Sequence, residues 1–164
     1  MAGKILIFLD IDGVLLPFPN PPVSTCGAIF PDATLHALSQ ILNAVPDALL
    51  VLSSTWRAQK NMIDDIIESF QIYGNVHDSP LARITEFYDL TDTSYHDERQ
   101  YEIYRYLQNN RPRAWIALED EDLLLERYRN YFEGRAIAVS SPVGLTNADA
   151  DLAIRLLQQQ LAKS

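Results

Sequence analysis

Short apolar runs, each closed by a polar or acidic residue and each followed by a helix-like stretch, constrain this chain more than any other feature. Lys4 to Leu9 runs into Asp10, Ala48 to Leu52 into Ser53, and Ala114 to Leu118 into Glu119, while Arg135 to Val139 is the last run. Apolar runs this short, without polar alternation, belong to strands buried on both faces. Between them the period changes. Pro31 and Asp32 open a predicted helix whose apolar face is Leu35, Leu38, Ile41 and Leu42. Ser54 or Thr55 can cap a second, carrying Met62, Ile63, Ile66, Ile67 and Phe70 and ended by Gly74. A third is expected from Arg99 through Leu107, ahead of Pro112, and a fourth over Asp122 to Phe132. Thr146 and Asp149 form a capping-box pair before the last. Residues 75–98 carry the weakest pattern, with one strand expected near Ile84 to Tyr88.

This alternation predicts an α/β fold: a three-layer α/β/α sandwich around a mainly parallel, Rossmann-like sheet. A length of 164 residues fits one domain, 1–164. Only a proline-rich loop (Pro17, Pro19, Pro21, Pro22) and one helix separate the first two strands, and the segment from Gly74 to Glu98 is short, so a minimal cap or none is expected. Parallel sheets bind ligands at the carboxyl ends of their strands. That rule selects Asp10–Asp12, Ser53–Ser54, the loop before Arg99, and Glu119–Asp122, all polar or charged.

Composition narrows the function classes. Asp10 and Asp12 interrupt the hydrophobic stretch from Ile5 to Leu16, which excludes a signal-peptide core, and no other stretch reaches membrane-spanning length. Cys26 is the only cysteine, so no intrachain disulfide can form, and a cytoplasmic, reducing compartment is the plain expectation. As a nucleophile Cys26 is disfavoured, because no histidine lies near it in sequence. Thirteen basic against twenty-two acidic residues, a net charge of −9, argue against strong general nucleic-acid affinity but not against a local basic cleft.

Asp10 and Asp12 stand in Leu9-Asp10-Ile11-Asp12-Gly13-Val14. Two carboxylates one residue apart after a buried strand repel each other unless a cation compensates them. Gly13 lets the chain turn sharply and keeps them close. An ordinary Asp-Gly turn with solvated acids is the plainer alternative. A calcium loop is excluded, since Leu15, Leu16 and Pro17 supply no further oxygen ligands.

The Asp-x-Asp-Gly-Val run after the first strand resembles the first motif of the haloacid-dehalogenase (HAD) superfamily. The resemblance implies that Asp10 is a nucleophile toward a phosphoryl group and Asp12 an acid–base residue. Ser53 resembles the second motif, a hydroxyl on the phosphoryl oxygens. Ser54 and Thr55 compete with it, and all three equally suit helix capping. Arg57 reads as a surface residue rather than a substrate contact.

The third motif normally supplies a lysine, but Lys4, Lys60 and Lys163 are the only lysines, and Lys4 and Lys163 are poorly placed. Arg99, opening a helix, is the expected substitute; the alternative is a solvated arginine in the charged stretch His96-Asp97-Glu98-Arg99. Glu119-Asp120-Glu121-Asp122 resembles the fourth, metal-binding motif. Asp120 is the first choice of ligand and Glu119 the second, with Asp10 and Asp12 completing a Mg2+ site, while Glu121 and Asp122 begin the next helix. Val143-Gly144-Leu145-Thr146 ahead of a helix is similar to small capless HAD proteins linked to RNA repair.

The resemblance implies a magnesium-dependent phosphatase working through an aspartyl phosphate, on a phosphorylated small molecule, a nucleotide or a nucleic-acid end. A non-catalytic phosphate-ligand or partner-binding module is the alternative, though both aspartates such a module would lose are present. A receiver domain is disfavoured, because its phosphorylated aspartate should follow a middle strand and here that strand ends in Ser53.

Overall fold

The computed structural model describes residues 3–92 and 98–164. Five strands, β1 (Ile5–Leu9), β2 (Ala48–Leu52), β3 (Asp89–Leu90), β4 (Ala114–Glu119) and β5 (Ala136–Ala138), form one sheet in the order β3-β2-β1-β4-β5. Every pairing is parallel. Five helices accompany them: α1 (Asp32–Ala44), α2 (Lys60–His77), α3 (Arg99–Asn109), the single turn α4 (Arg129–Phe132), and α5 (Asn147–Lys163). The α/β architecture expected from the alternation is therefore present.

The apolar runs are explained by burial on two faces. Along β1 the side chains alternate between two cores. Ile5, Ile7 and Leu9 join Leu35, Leu38 and Ile41 of α1, Ile66 and Phe70 of α2, and Ala150, Ala153 and Leu157 of α5. Leu6 and Phe8 join Ile103 and Leu107 of α3, Trp115 and Phe132. Phe8 meets the rings of Tyr106 and Trp115 edge-on at 5.5 and 5.7 Å. Truncating a fully buried phenylalanine such as this costs about 3–5 kcal/mol.

The register positions the site. Leu9 pairs with Leu52 on one side and Leu118 on the other. Asp10, Ser53 and Glu119 thus leave the sheet level with one another on three adjacent strands. The chain steps outward from β1 to β2 and β3, then returns to the other side of β1 for β4. That switch between β1 and β4 opens the crevice in which doubly wound sheets bind ligands.

Several expected boundaries move. The strand expected near Ile84 to Tyr88 lies later, at Asp89–Leu90, where it pairs with Val51 and Leu52. Gly74 does not end α2, which continues to His77 and stops at Asp78 in the left-handed region, φ 51°. Gly74 instead permits close packing: a Cβ there would overlap the backbone nitrogen of Ala82. The helix expected over Asp122 to Phe132 shrinks to a 3-10 turn at Glu126–Tyr128 and the one-turn α4. Asp122 Oδ1 accepts from the N–H of Leu124 at 2.8 Å, an Asx turn. The Gln100 amide takes the carbonyls of Leu123 and Leu125, both at 2.9 Å, which a helix would have used. The capping box at Thr146 and Asp149 forms in both directions. No helix among the described residues is long and apolar enough to cross a membrane.

Candidate active site

Asp10 follows β1 directly, its N–H on the Leu118 carbonyl at 3.2 Å and its side chain buried. Arg99, the first residue of α3, reaches it: Nη1 lies 3.3 Å from Asp10 Oδ1 and 3.2 Å from Glu119 Oε2. Arg99 is 7% exposed, so the solvated alternative is wrong. His96 and Asp97, the neighbours that suggested it, lie outside the described residues. Lys60 is exposed and pairs with Asp64 at 2.9 Å on its own helix.

One carboxylate oxygen each from Asp10, Glu119 and Asp120 lie within 4.8 Å of one another. Crowding acids in a buried place is unfavourable, and the ionisation of this group shows it. Burial pushes the Asp10 carboxyl up to about 6, against the pull of its hydrogen bond with Glu119 and of Arg99. Burial and the Asp10 charge push Glu119 up to about 11. The two titrate as a pair. Burial also opposes the charge on Arg99, yet Glu119, Asp10 and Glu102 outweigh it and raise its pKa. The anionic charge here exceeds what one arginine balances. A set of hard oxygen donors short of positive charge fits a divalent cation such as magnesium.

Asp12 stands apart from that group. Its carboxylate is exposed, and Trp56 Nε1 donates to Oδ1 at 3.2 Å. Gly13, at φ +80°, brings the loop back against Asp120, whose carboxylate a Cβ at residue 13 would overlap. Ser141, after β5, donates its hydroxyl to Asp120 Oδ2 at 3.2 Å.

The structure separates the three hydroxyls after β2. Ser54 accepts from the N–H of Trp56 at 3.2 Å and caps the 3-10 turn Thr55–Ala58, so its oxygen is occupied. Thr55 is exposed within that turn. Ser53 donates its backbone N–H to Leu9 at 3.0 Å, beside Asp10, yet its buried hydroxyl has no partner. Such a hydroxyl is free to be completed by a water or a bound ligand, as are Gln40 Oε1, Thr91 Oγ1 and Arg99 Nε, but only Ser53 of the three hydroxyls after β2 is in that state.

Two expectations need correction. Arg57 is no surface residue: it is 7% exposed, Nη2 pairs with Glu102 at 2.9 Å, and Nε donates to the Thr91 carbonyl at 3.1 Å. Its Nη1 takes the carbonyls of Ser53 and Ser54, tying down the turn that carries Ser53. Glu121 does not begin a helix, but accepts from the N–H of Arg99 at 3.4 Å, at the start of α3.

Residues 6–150 match the family described as the HAD domain in Swiss Army Knife RNA repair proteins. The chain belongs to this HAD family. No curated protein and no solved structure matches it. Within this HAD domain, Trp56, Ser141, Glu102 and Arg57 escaped sequence reasoning as parts of the site. Trp56 and Ser141 do share the signal that exposed the others, since each follows a strand at the carboxyl edge. Nothing in sequence marks Glu102, which sits on the helical face that happens to turn toward two arginines.

Proposed function

We propose that this HAD domain hydrolyses a phosphate monoester, with Asp10 taking up the phosphoryl group. The observation that carries the reading is the convergence of Asp10, Glu119 and Asp120 at the switch point of the sheet, with Arg99 paired to the first two. A carboxylate oxygen of Asp10 attacks phosphorus, and the bond to the leaving oxygen breaks. Asp12 gives that oxygen its proton, held in place by the Trp56 indole. Water then attacks the aspartyl phosphate, Asp12 recovers a proton from it, and phosphate leaves with Asp10 restored.

Magnesium held by Asp10 and Asp120, with Glu119 beside them and the Asp12 backbone carbonyl contributing, would supply positive charge against the non-bridging phosphoryl oxygens. Arg99 shares that task, since its guanidinium stays charged at any working pH and can hold two oxygens. The free hydroxyl of Ser53 donates to a third position.

We assign the substrate to phosphorylated RNA ends. The family's description supports this, as does the absence of a large lid among the described residues. A local basic surface supports it too, despite the net charge of −9. Arg111, Arg113 and Arg135 line a cavity of about 530 Å3 with Tyr104 and Tyr131, over the buried Trp115, and no acid is among its lining residues. Arginines interleaved with aromatic rings suit a single strand, whose bases stack and whose phosphates need neutralising. This cavity sits at the far end of α3 from Arg99, about 15 Å along the helix axis. A chain with its phosphorylated end at Asp10 can run along that face.

The test is magnesium-dependent phosphate release from 3′- and 5′-phosphorylated oligoribonucleotides, nucleotides and sugar phosphates, compared by kcat/KM. Full activity after exhaustive chelation, with metal analysis confirming removal, overturns the metal assignment. A preference for sugar phosphates over every oligonucleotide overturns the substrate assignment and leaves the chemistry standing.

A further inference from the structure

Cys26 has no part in the chemistry above, yet it has company. It lies in the loop between β1 and α1, Asp32 is the first residue of α1, and His77 is the last of α2. One ligand atom from each, a sulfur, a carboxylate oxygen and an imidazole nitrogen, lie within 4.8 Å of one another. Three separate segments thus deliver three different donors to one point. Core packing accounts for half-buried Cys26, which lies against the main core, but not for Asp32, a half-buried carboxylate, or for His77, which is exposed.

The surroundings hold these donors in place. Ser24 Oγ donates to Asp32 Oδ1 at 3.2 Å and lies 3.2 Å from Cys26 Sγ, while Thr25 donates through its hydroxyl and its N–H to the same carboxylate. His77 lies against Tyr73 in a tilted ring contact, centroids 4.3 Å apart. Such outer contacts orient ligands in metal sites. His36, one turn beyond Asp32 on α1, lines a cavity of about 460 Å3 together with Asp32, Tyr73 and His77. Two of the chain's three histidines and its single cysteine therefore gather here.

We propose that Cys26, Asp32 and His77 bind a zinc ion, with the fourth position facing the His36 cavity. The donor set decides the metal. A thiolate with an imidazole selects a borderline-soft ion and disfavours magnesium, the opposite of the all-oxygen group at Asp10. Zinc bond lengths near 2.0–2.3 Å bring tetrahedral donors to about 3.5 Å from each other, a closure of at most about 1.3 Å from the 4.8 Å within which they lie, on a loop and a helix end. Binding releases the thiol proton of Cys26 as the sulfur–zinc bond forms. The ion clamps the loop of residues 17–31 onto the end of α2. Phe30 of that loop lies against Trp56, ring centroids 6.1 Å apart, and Trp56 holds Asp12, so the clamp braces the acid–base residue from behind.

Chelator-treated protein, kept in excess magnesium to occupy the carboxylate group, is dialysed against zinc and analysed for metal. One zinc per chain is expected, and zinc should raise the melting temperature. Cys26→Ser and His77→Gln should each lose the ion and the thermal shift, while Asp120→Asn should keep both. Cobalt in place of zinc should give the near-ultraviolet absorption of a sulfur–cobalt bond, absent in Cys26→Ser. No retained zinc, no sulfur–cobalt band in the native protein, equal retention by the Cys26 and His77 variants, or loss caused by Asp120→Asn instead each overturns the proposal. Circular dichroism confirms that each variant is folded, and the cobalt band of the native protein decides without any variant.

Discussion

Glu102 pairs with two arginines at once, accepting a hydrogen bond from Arg57 Nη2 at 2.9 Å and lying 3.2 Å from Arg99 Nε as an ion pair without hydrogen-bond geometry, all three side chains buried. Burial favours neutral Glu102 and raises its pKa, while Arg99 and Arg57 pull the other way. The pair Arg57–Glu102 links the turn carrying Ser53 to the helix carrying Arg99, so the two groups proposed to hold phosphate share one support. Removing Glu102 leaves buried Arg57 without its carboxylate, while Arg99 keeps Asp10 and Glu119, and Glu102→Ala should lower stability by about 3–5 kcal/mol. Urea denaturation measures it; a loss below about 1 kcal/mol, the value of a surface pair, would contradict the burial argument.

Arg99 and Lys60 are competing cations, and geometry prefers the first. Arg99→Ala should weaken vanadate binding and reduce kcat, and Arg99→Lys should restore part of both. Lys60→Ala removes only an exposed i,i+4 pair and should change activity by less than twofold, with stability altered by about 0.3–0.5 kcal/mol. Vanadate inhibition constants for the three variants settle the order.

Asp10→Asn keeps the side-chain size and should abolish turnover in a folded protein. Asp12→Asn should lose roughly a hundred- to ten-thousandfold in kcat, the usual reach of acid–base assistance. Trp56→Phe deletes the indole donor to Asp12 and should cost less than Asp12→Asn while moving kcat in the same direction. Steady-state kinetics on a generic aryl phosphate tests all three. Turnover by Asp10→Asn near the native rate would mean that a water, not this carboxylate, attacks phosphorus.

Ser53 and Ser54 differ by one position and by whether the hydroxyl is occupied. Ser54→Ala deletes a cap and should cost about 0.5–2 kcal/mol of stability with a small kinetic effect. Ser53→Ala should do the reverse, leaving stability unchanged or improved and raising KM or lowering kcat. Thermal melts beside kinetics separate them.

Arg111→Ala and Arg113→Ala test the substrate rather than the reaction. Each should raise KM for a phosphorylated oligoribonucleotide and reduce its salt dependence, while kcat/KM for an aryl phosphate stays level. Equal effects on both substrates would detach this cavity from RNA.

The alternation of apolar runs and amphipathic helices carried the α/β fold, the polar residues closing those runs carried Asp10, Asp12, Ser53, Glu119 and Asp120 into consideration, and Arg99 entered at a helix start as the substitute for a missing lysine. The first two are local signals: burial on two faces demands continuous apolar residues, and strand ends at one edge need only their order along the chain. What packs against what is not local. Arg57 resembled a surface arginine because its partners, Thr91 and Glu102, come from other segments. Gln100 cancelled a helix twenty-odd residues away by taking its carbonyls. Cys26 looked solitary because His77 lies fifty-one positions along the chain, and only the meeting of the loop, α1 and α2 places sulfur near imidazole. Residue type and local period determined the strands, the helices and the candidate acids. Tertiary packing decided which charges are buried together, and that sets their ionisation and the cations they can hold, because desolvation and short-range Coulomb forces depend on distance in space and not on separation in sequence.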